Sequence, residues 1–126
     1  MKYFLLFVLS FLSFVSVSAN AIDLVPNDWT KTNTVLEEVY GASLIVDLGT
    51  TLDIKNHKGY EESNLILGTN PKDNQVYEFF VVNMAVQYLI ATMLEPDSRL
   101  IFQGWTIATE FNAIVGNYRV GLSMKF

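Results

Sequence analysis

The chain has 126 residues with 8 Lys/Arg against 13 Asp/Glu, and beyond residue 21 the balance is seven against thirteen, a formal charge of −6 that repels nucleic acid and anionic lipid surfaces. It contains no cysteine, which excludes a disulfide framework, a lipid-modified N-terminal cysteine and thiolate metal sites. The length allows one compact unit and no second domain.

Residues 1–21 read as a cleavable signal peptide: Lys2 supplies the positive end, Tyr3 to Val17 an apolar run, and Ala19-Asn20-Ala21 a small-x-small cleavage site. Residues 22–126 form the single domain that remains. Its polar lead-in carries Pro26 and Trp29, the latter placed as an interfacial anchor or as a cover for a helix end. Thr32, Asn33 or Thr34 can cap a first helix at about 34–54, with Glu37 and Glu38 in its early turns. Lys55 to Gln75 is a loop, marked by Asn56, Gly59, Gly68, Asn70 and Pro71. A second helix at about 75–94 opens at Asp73 or Asn74 and stops at Glu95-Pro96-Asp97. A third at about 99–117 follows after so short a link that the two must be antiparallel neighbours.

Phe79 to Leu94 is free of charge, and Leu100 to Tyr118 holds only Glu110. At 1.5 Å per residue these rods reach roughly 24 to 28 Å, close to the ~30 Å of a bilayer's hydrocarbon. Val39 to Leu52 is shorter and includes Asp47, so it is the weakest span. The fold expected is all-α: a small membrane helical bundle of three spans after a cleavable N-terminal signal peptide, with the lipid bilayer as its first partner. Lys55, Lys58, Lys72, Arg119 and Lys125 then fall on one side and Lys31 and Arg99 on the other, which the positive-inside rule assigns to a bacterial cytoplasmic membrane with the processed N-terminus outside. A soluble periplasmic helical protein is the alternative. Alternation of Tyr118, Val120, Leu122, Met124 and Phe126 admits a barrel strand, which Phe79 to Leu94, with no period-two pattern, does not extend.

Polar residues recur within these apolar rods at helical spacing. Tyr40, Ser43, Asp47, Thr50 and Thr51 share one face of the first helix, Gln103, Thr106, Glu110 and Asn117 one face of the third, and Asn83 and Gln87 lie four apart on the second. A carboxyl at mid-span costs about 2.5 to 3.5 kcal/mol, so Asp47 and Glu110 should face the interior and find protons or hydroxyl and amide donors there. The lone His57 has no histidine or cysteine partner, and no hydrolase, metalloprotease, P-loop or dinucleotide motif occurs, so neither metal nor cofactor is expected.

Asp47-x-x-x-Thr51, then Tyr60-Glu61-Glu62-x-Asn64 leading to Leu67-Gly68 and Asn70-Pro71, an aromatic helix from Val76, and Glu110 with Asn117-Tyr118 together resemble small bacterial and phage-borne membrane proteins of unknown function. Those commonly read Asp-x-x-x-Thr and then Glu-x-Asn-Pro-x-x-Gly; here Leu65 stands where the pattern puts proline. The resemblance implies a helical membrane protein and marks Asp47, Thr51, Glu62, Asn64, Glu110 and Asn117 as one cluster. It implies no activity. The expected function is a non-catalytic structural or interaction module, with a larger membrane protein or further copies of itself as partner. A proton- or ion-conducting protein or a carboxylate-based membrane enzyme is the alternative. Glu62 and Asn64 are expected to pin the loop over the helix ends, with Glu62 bonded near Thr51 or Asn117 and Leu65, Ile66 and Leu67 dipping into the bundle edge.

Overall fold

The computed structural model describes residues 26–126, and the expected signal segment 1–21 lies outside them. Three helices account for most of the described chain: α1 (Lys31–Leu52), α2 (Asp73–Met93) and α3 (Pro96–Arg119), with a 3₁₀ turn at Ile54–Asn56. No strand occurs among the described residues; of the alternating C-terminal residues Tyr118 lies in the last turn of α3, Val120 in the turn that follows, and Leu122, Met124 and Phe126 in irregular chain.

Each helix starts earlier than expected, for a local reason. Thr30, not Thr32 to Thr34, caps α1: its hydroxyl accepts from Asn33 N–H at 3.2 Å while Asn33 Oδ1 accepts from Thr30 N–H at 2.9 Å, the reciprocal arrangement of a capping box with Asn in place of Glu. At α2 the Gln75 side chain reaches back to the Lys72 N–H at 2.9 Å. Helix α2 stops at Met93, just before the expected break, and Pro96 is itself the first residue of α3, where its missing N–H costs no hydrogen bond.

Helices α1 and α3 run parallel. Asn33 bonds Gln103, Asp47 bonds Asn117 and Asp53 bonds Ser123, each pair separated by 70 residues, so the register holds from one end of the bundle to the other. Helix α2 returns antiparallel between them in the chain, yet it packs more on α1 than on α3. The short link does make α2 and α3 successive and antiparallel, but Arg99 spreads their junction. Its Nε donates to Ala91 O at 2.8 Å and its Nη2 to Leu94 O at 2.7 Å, capping α2 from within α3.

The apolar core is small: Tyr40, Leu44, Leu52, Val76 and Phe80, flanked by Leu48, Leu67, Phe79 and Ile107. Polar side chains fill much of the remaining interior, among them Asn33, Ser43, Thr50, Thr51, Gln87, Arg99 and Gln103. Large apolar side chains occupy the outside instead, with Ile101 74%, Val81 69% and Trp105 66% exposed. Much of the apolar surface of the helices is thus left uncovered while polar side chains share the interior with the small core. Among the described helices only α2 is long and apolar enough to cross a membrane by itself, and most of it is uncovered by the rest of the chain.

Candidate functional site

Where α1 and α3 end, the loop 60–69 folds over them and leaves a cavity of about 860 Å³. Five of the residues expected to cluster line it: Asp47 and Thr51 from α1, Glu62 and Asn64 from the loop, Asn117 from α3. The parallel register explains the meeting of Asp47 and Asn117, since both lie fourteen residues beyond the Asn33–Gln103 bond. Asn117 Nδ2 donates to Asp47 Oδ1 and to Thr50 Oγ1, each at 2.8 Å, and Thr50 Oγ1 in turn donates to Asp47 O at 3.0 Å. One amide thus ties α3 to two side chains on a single turn of α1.

The loop is held differently from the expectation. Glu62 Oε1 accepts from Asn64 N–H at 2.8 Å, Asn64 Oδ1 accepts from Ile66 N–H at 2.9 Å, and Gly68 N–H donates to Asn64 O at 3.0 Å. These local bonds form faster and more cheaply than a long-range bond to Thr51 or Asn117, because they close loops of only a few residues. Leu65 is 98% exposed and Ile66 is exposed too; only Leu67 reaches the core. The loop is fastened to the body at its start, where Tyr60 Oη donates to Val120 O at 2.6 Å.

Glu110 does not line the cavity. It lies one layer deeper, within electrostatic reach of Asp47 and Tyr40, and its Oε2 is buried with no hydrogen-bond donor. Beyond it the polar seam continues. Gln103 Nε2 donates to Glu37 Oε1 at 2.7 Å, Gln87 Nε2 donates to the same oxygen at 3.2 Å, and Asn33 Nδ2 donates to Gln103 Oε1 at 2.9 Å. Gln87 therefore joins this upper network and leaves its own Oε1 without a donor, while Asn83, half-buried one turn away, stays out of it.

Two further polar centres had no motif to announce them. Asp53, 1% exposed at the end of α1, accepts from Asn56 Nδ2, Ser123 N–H and Ser123 Oγ. Those bonds hold its carboxyl below the usual carboxylate range, Asn56 contributing most. They also fold the C-terminal tail back along α1, where Lys125 N–H bonds Gly49 O at 3.0 Å and the Phe126 ring sits 3.1 Å from the place a Cβ on Gly49 would take. At the opposite end Arg99, 1% exposed, stacks 5.2 Å from the Trp29 ring centroid, and its Nη1 lies 3.0 Å from Asp28 Oδ1 without hydrogen-bond alignment. Trp29 also packs on Tyr88 and donates its Nε1–H to Thr34 Oγ1 at 3.1 Å, so its ring lies across the start of α1. His57 packs on the Tyr60 ring with its Nδ1 3.1 Å from Asp53 O, and no group of His, Cys, Asp and Glu able to hold a metal occurs among the described residues.

The chain matches no family model, no curated protein and no solved structure.

Proposed function

We propose that this chain is a small integral membrane protein whose three helices cross the bacterial cytoplasmic membrane together, as a non-catalytic interaction module for a larger membrane protein or for further copies of itself. One observation carries this reading: polar side chains fill the interior while the outside is apolar on all three helices, as at Val35, Val39 and Ile45 of α1, Val81 and Met84 of α2, and Ile101, Trp105 and Phe111 of α3. In water such a surface would associate without limit; in lipid it is the lowest-cost face. Helices α1 and α3 carry carboxyls that would resist insertion alone; the Asn117 amide of α3 offsets that cost for Asp47, while Glu110 Oε2 has no donor. The resemblance of the Asp47-to-Asn117 pattern to small bacterial and phage-borne membrane proteins supports the same reading.

The interior networks favour a structural role, since Asn33, Gln103, Glu37, Gln87, Asp47, Thr50 and Asn117 are spent on one another. A proton-conducting reading has its own support in two interior acceptors without donors, Gln87 Oε1 and Glu110 Oε2. Two measurements decide. Carbonate washing should leave the protein in the membrane fraction, and release would overturn the bilayer reading. Purified protein in liposomes under a potassium diffusion potential should pass no more protons than empty liposomes; a flux abolished by Glu110→Gln would replace the module with a conductor.

A further inference from the structure

The cavity at the loop end carries charges of both signs that do not meet. Arg119 lines it from the last turn of α3 and has no ion-pair partner among the described residues, although Asp47, Glu61 and Glu62 line the same space. None of these carboxylates comes within ion-pair distance of the Arg119 guanidinium, which stands with Glu61 at the exposed rim while Asp47 and Glu62 are half-buried; at about 4 Å the attraction would be worth several kcal/mol even at an effective dielectric of 20. The scaffold keeps them apart. Asn117 holds one oxygen of Asp47, the Asn64 N–H holds one oxygen of Glu62, and Arg119 belongs to a helix that ends at the cavity rim. The void between them is about 860 Å³, within the size range of small-molecule sites, and Leu67 and Phe80 give it an apolar wall continuous with the core.

A ligand that satisfies this lining needs a cation and an anion on one short linker, with an apolar part beside them. We propose that the cavity binds an ammonium–phosphate zwitterion, the headgroup of an aminophospholipid, with the ammonium at Asp47 and Glu62 and the phosphate at Arg119. Access from a lipid leaflet rests on the membrane reading above; the charge arrangement does not. The Asp47 and Glu62 carboxylates each keep one oxygen free to accept, so an ammonium with N–H donors is held there, and a trimethylated headgroup, which has none, binds less well. A headgroup without a cation leaves the carboxylates facing its phosphate. The same end of the bundle carries Lys55, Lys58, Lys72 and Lys125, which on the positive-inside rule places the cavity at the cytoplasmic leaflet.

The test is native mass spectrometry of the full chain from mixed micelles holding phosphatidylethanolamine, phosphatidylcholine and phosphatidylglycerol in equal amounts. Phosphatidylethanolamine should be retained several-fold over both others, and Arg119→Gln, which removes the partner of the phosphate common to all three, should lower retention several-fold. Because Asp47→Asn could disturb α1 through Asn117, Glu62→Gln is the second variant: the amide oxygen still accepts from Asn64 N–H, the fold is kept, and retention should fall. Soluble glycerophosphoethanolamine tells the two sources of the headgroup apart. If it displaces the lipid, the headgroup alone is recognised; if the lipid stays, the acyl chain contributes along Leu67 and Phe80; either result with the stated preference upholds the site. Equal retention of the three lipids, or an excess of phosphatidylglycerol drawn to the basic rim, overturns it. A protein that resists carbonate but shows no preference loses this inference alone. One that carbonate releases but that still binds glycerophosphoethanolamine keeps the zwitterion site and loses the bilayer reading.

Discussion

Asp53 shows how one buried carboxylate can close a structure. Its three hydrogen bonds join the end of α1, the 3₁₀ turn and the C-terminal tail, and they favour the ionised form, so its pKa in the folded protein lies below the ordinary 3.8. The unfolded chain therefore takes up the proton first as pH falls. The stabilisation Asp53 contributes is complete above about pH 5 and is lost progressively below that, as pH drops through the folded value. Asp53→Asn should lower the melting temperature in detergent at pH 6 and by much less at pH 3, so the two curves converge on acidification. A difference that is constant with pH would mean that the carboxylate's charge is not what holds the tail. Nothing in the sequence signalled this role: Asp53 stands at the end of an apolar run and Ser123 lies 70 residues away, with no local spacing to connect them.

At the scale of elements, the sequence disclosed three helices and which faces are polar, because those depend on spacing within each helix. Tyr40, Ser43, Thr50 and Thr51 are indeed buried, as are Gln87, Gln103 and Thr106. It did not disclose that α1 and α3 are parallel partners in register, since that depends on how separate stripes pair. Loop chemistry was also hidden: Glu62 turned to its own Asn64 N–H, a bond any acceptor two residues upstream can make. The paired register gives Asn33 two tasks. Its Oδ1 completes the α1 cap while its Nδ2 donates to the buried Gln103 Oε1 at 2.9 Å. Removing the cap hydroxyl by Thr30→Ala should cost about 1 kcal/mol. Asn33→Ala keeps the Thr30 hydroxyl bond but loses the reciprocal half of the capping box, and it also leaves the buried Gln103 Oε1 without its donor, a further ~1 to 3 kcal/mol. Chemical denaturation in mixed micelles should therefore rank Asn33→Ala clearly below Thr30→Ala, and equal losses would show that the α1–α3 bond carries no weight.

For the whole molecule, the balance between apolar and polar faces sets how the helices can reach a membrane. Among the described helices only α2 has the length and apolarity to cross a membrane alone. Helices α1 and α3 expose Val39, Ile45, Trp105 and Phe111 outward but carry Asp47 and Glu110 toward one another's side of the bundle, so their insertion depends on meeting. Orientation follows from the basic residues: Lys55, Lys58, Lys72, Arg119 and Lys125 gather at the cavity end, against Lys31 and Arg99 at the other, where Arg99 is already buried beside Asp28. If the three helices cross the membrane as proposed, the positive-inside rule would turn the cavity end to the cytoplasm. The absence of cysteine makes this directly measurable, because single substitutions supply the only thiol in the chain. Lys58→Cys sits in the loop after α1 and Lys31→Cys at the first residue of α1, both exposed. A membrane-impermeant maleimide applied to intact cells with a permeabilised outer membrane should label Lys31→Cys and spare Lys58→Cys until the inner membrane is broken. Labelling of Lys58→Cys in intact cells would invert the topology and move the cavity to the outer face, where the carboxylates and Arg119 would meet the opposite leaflet.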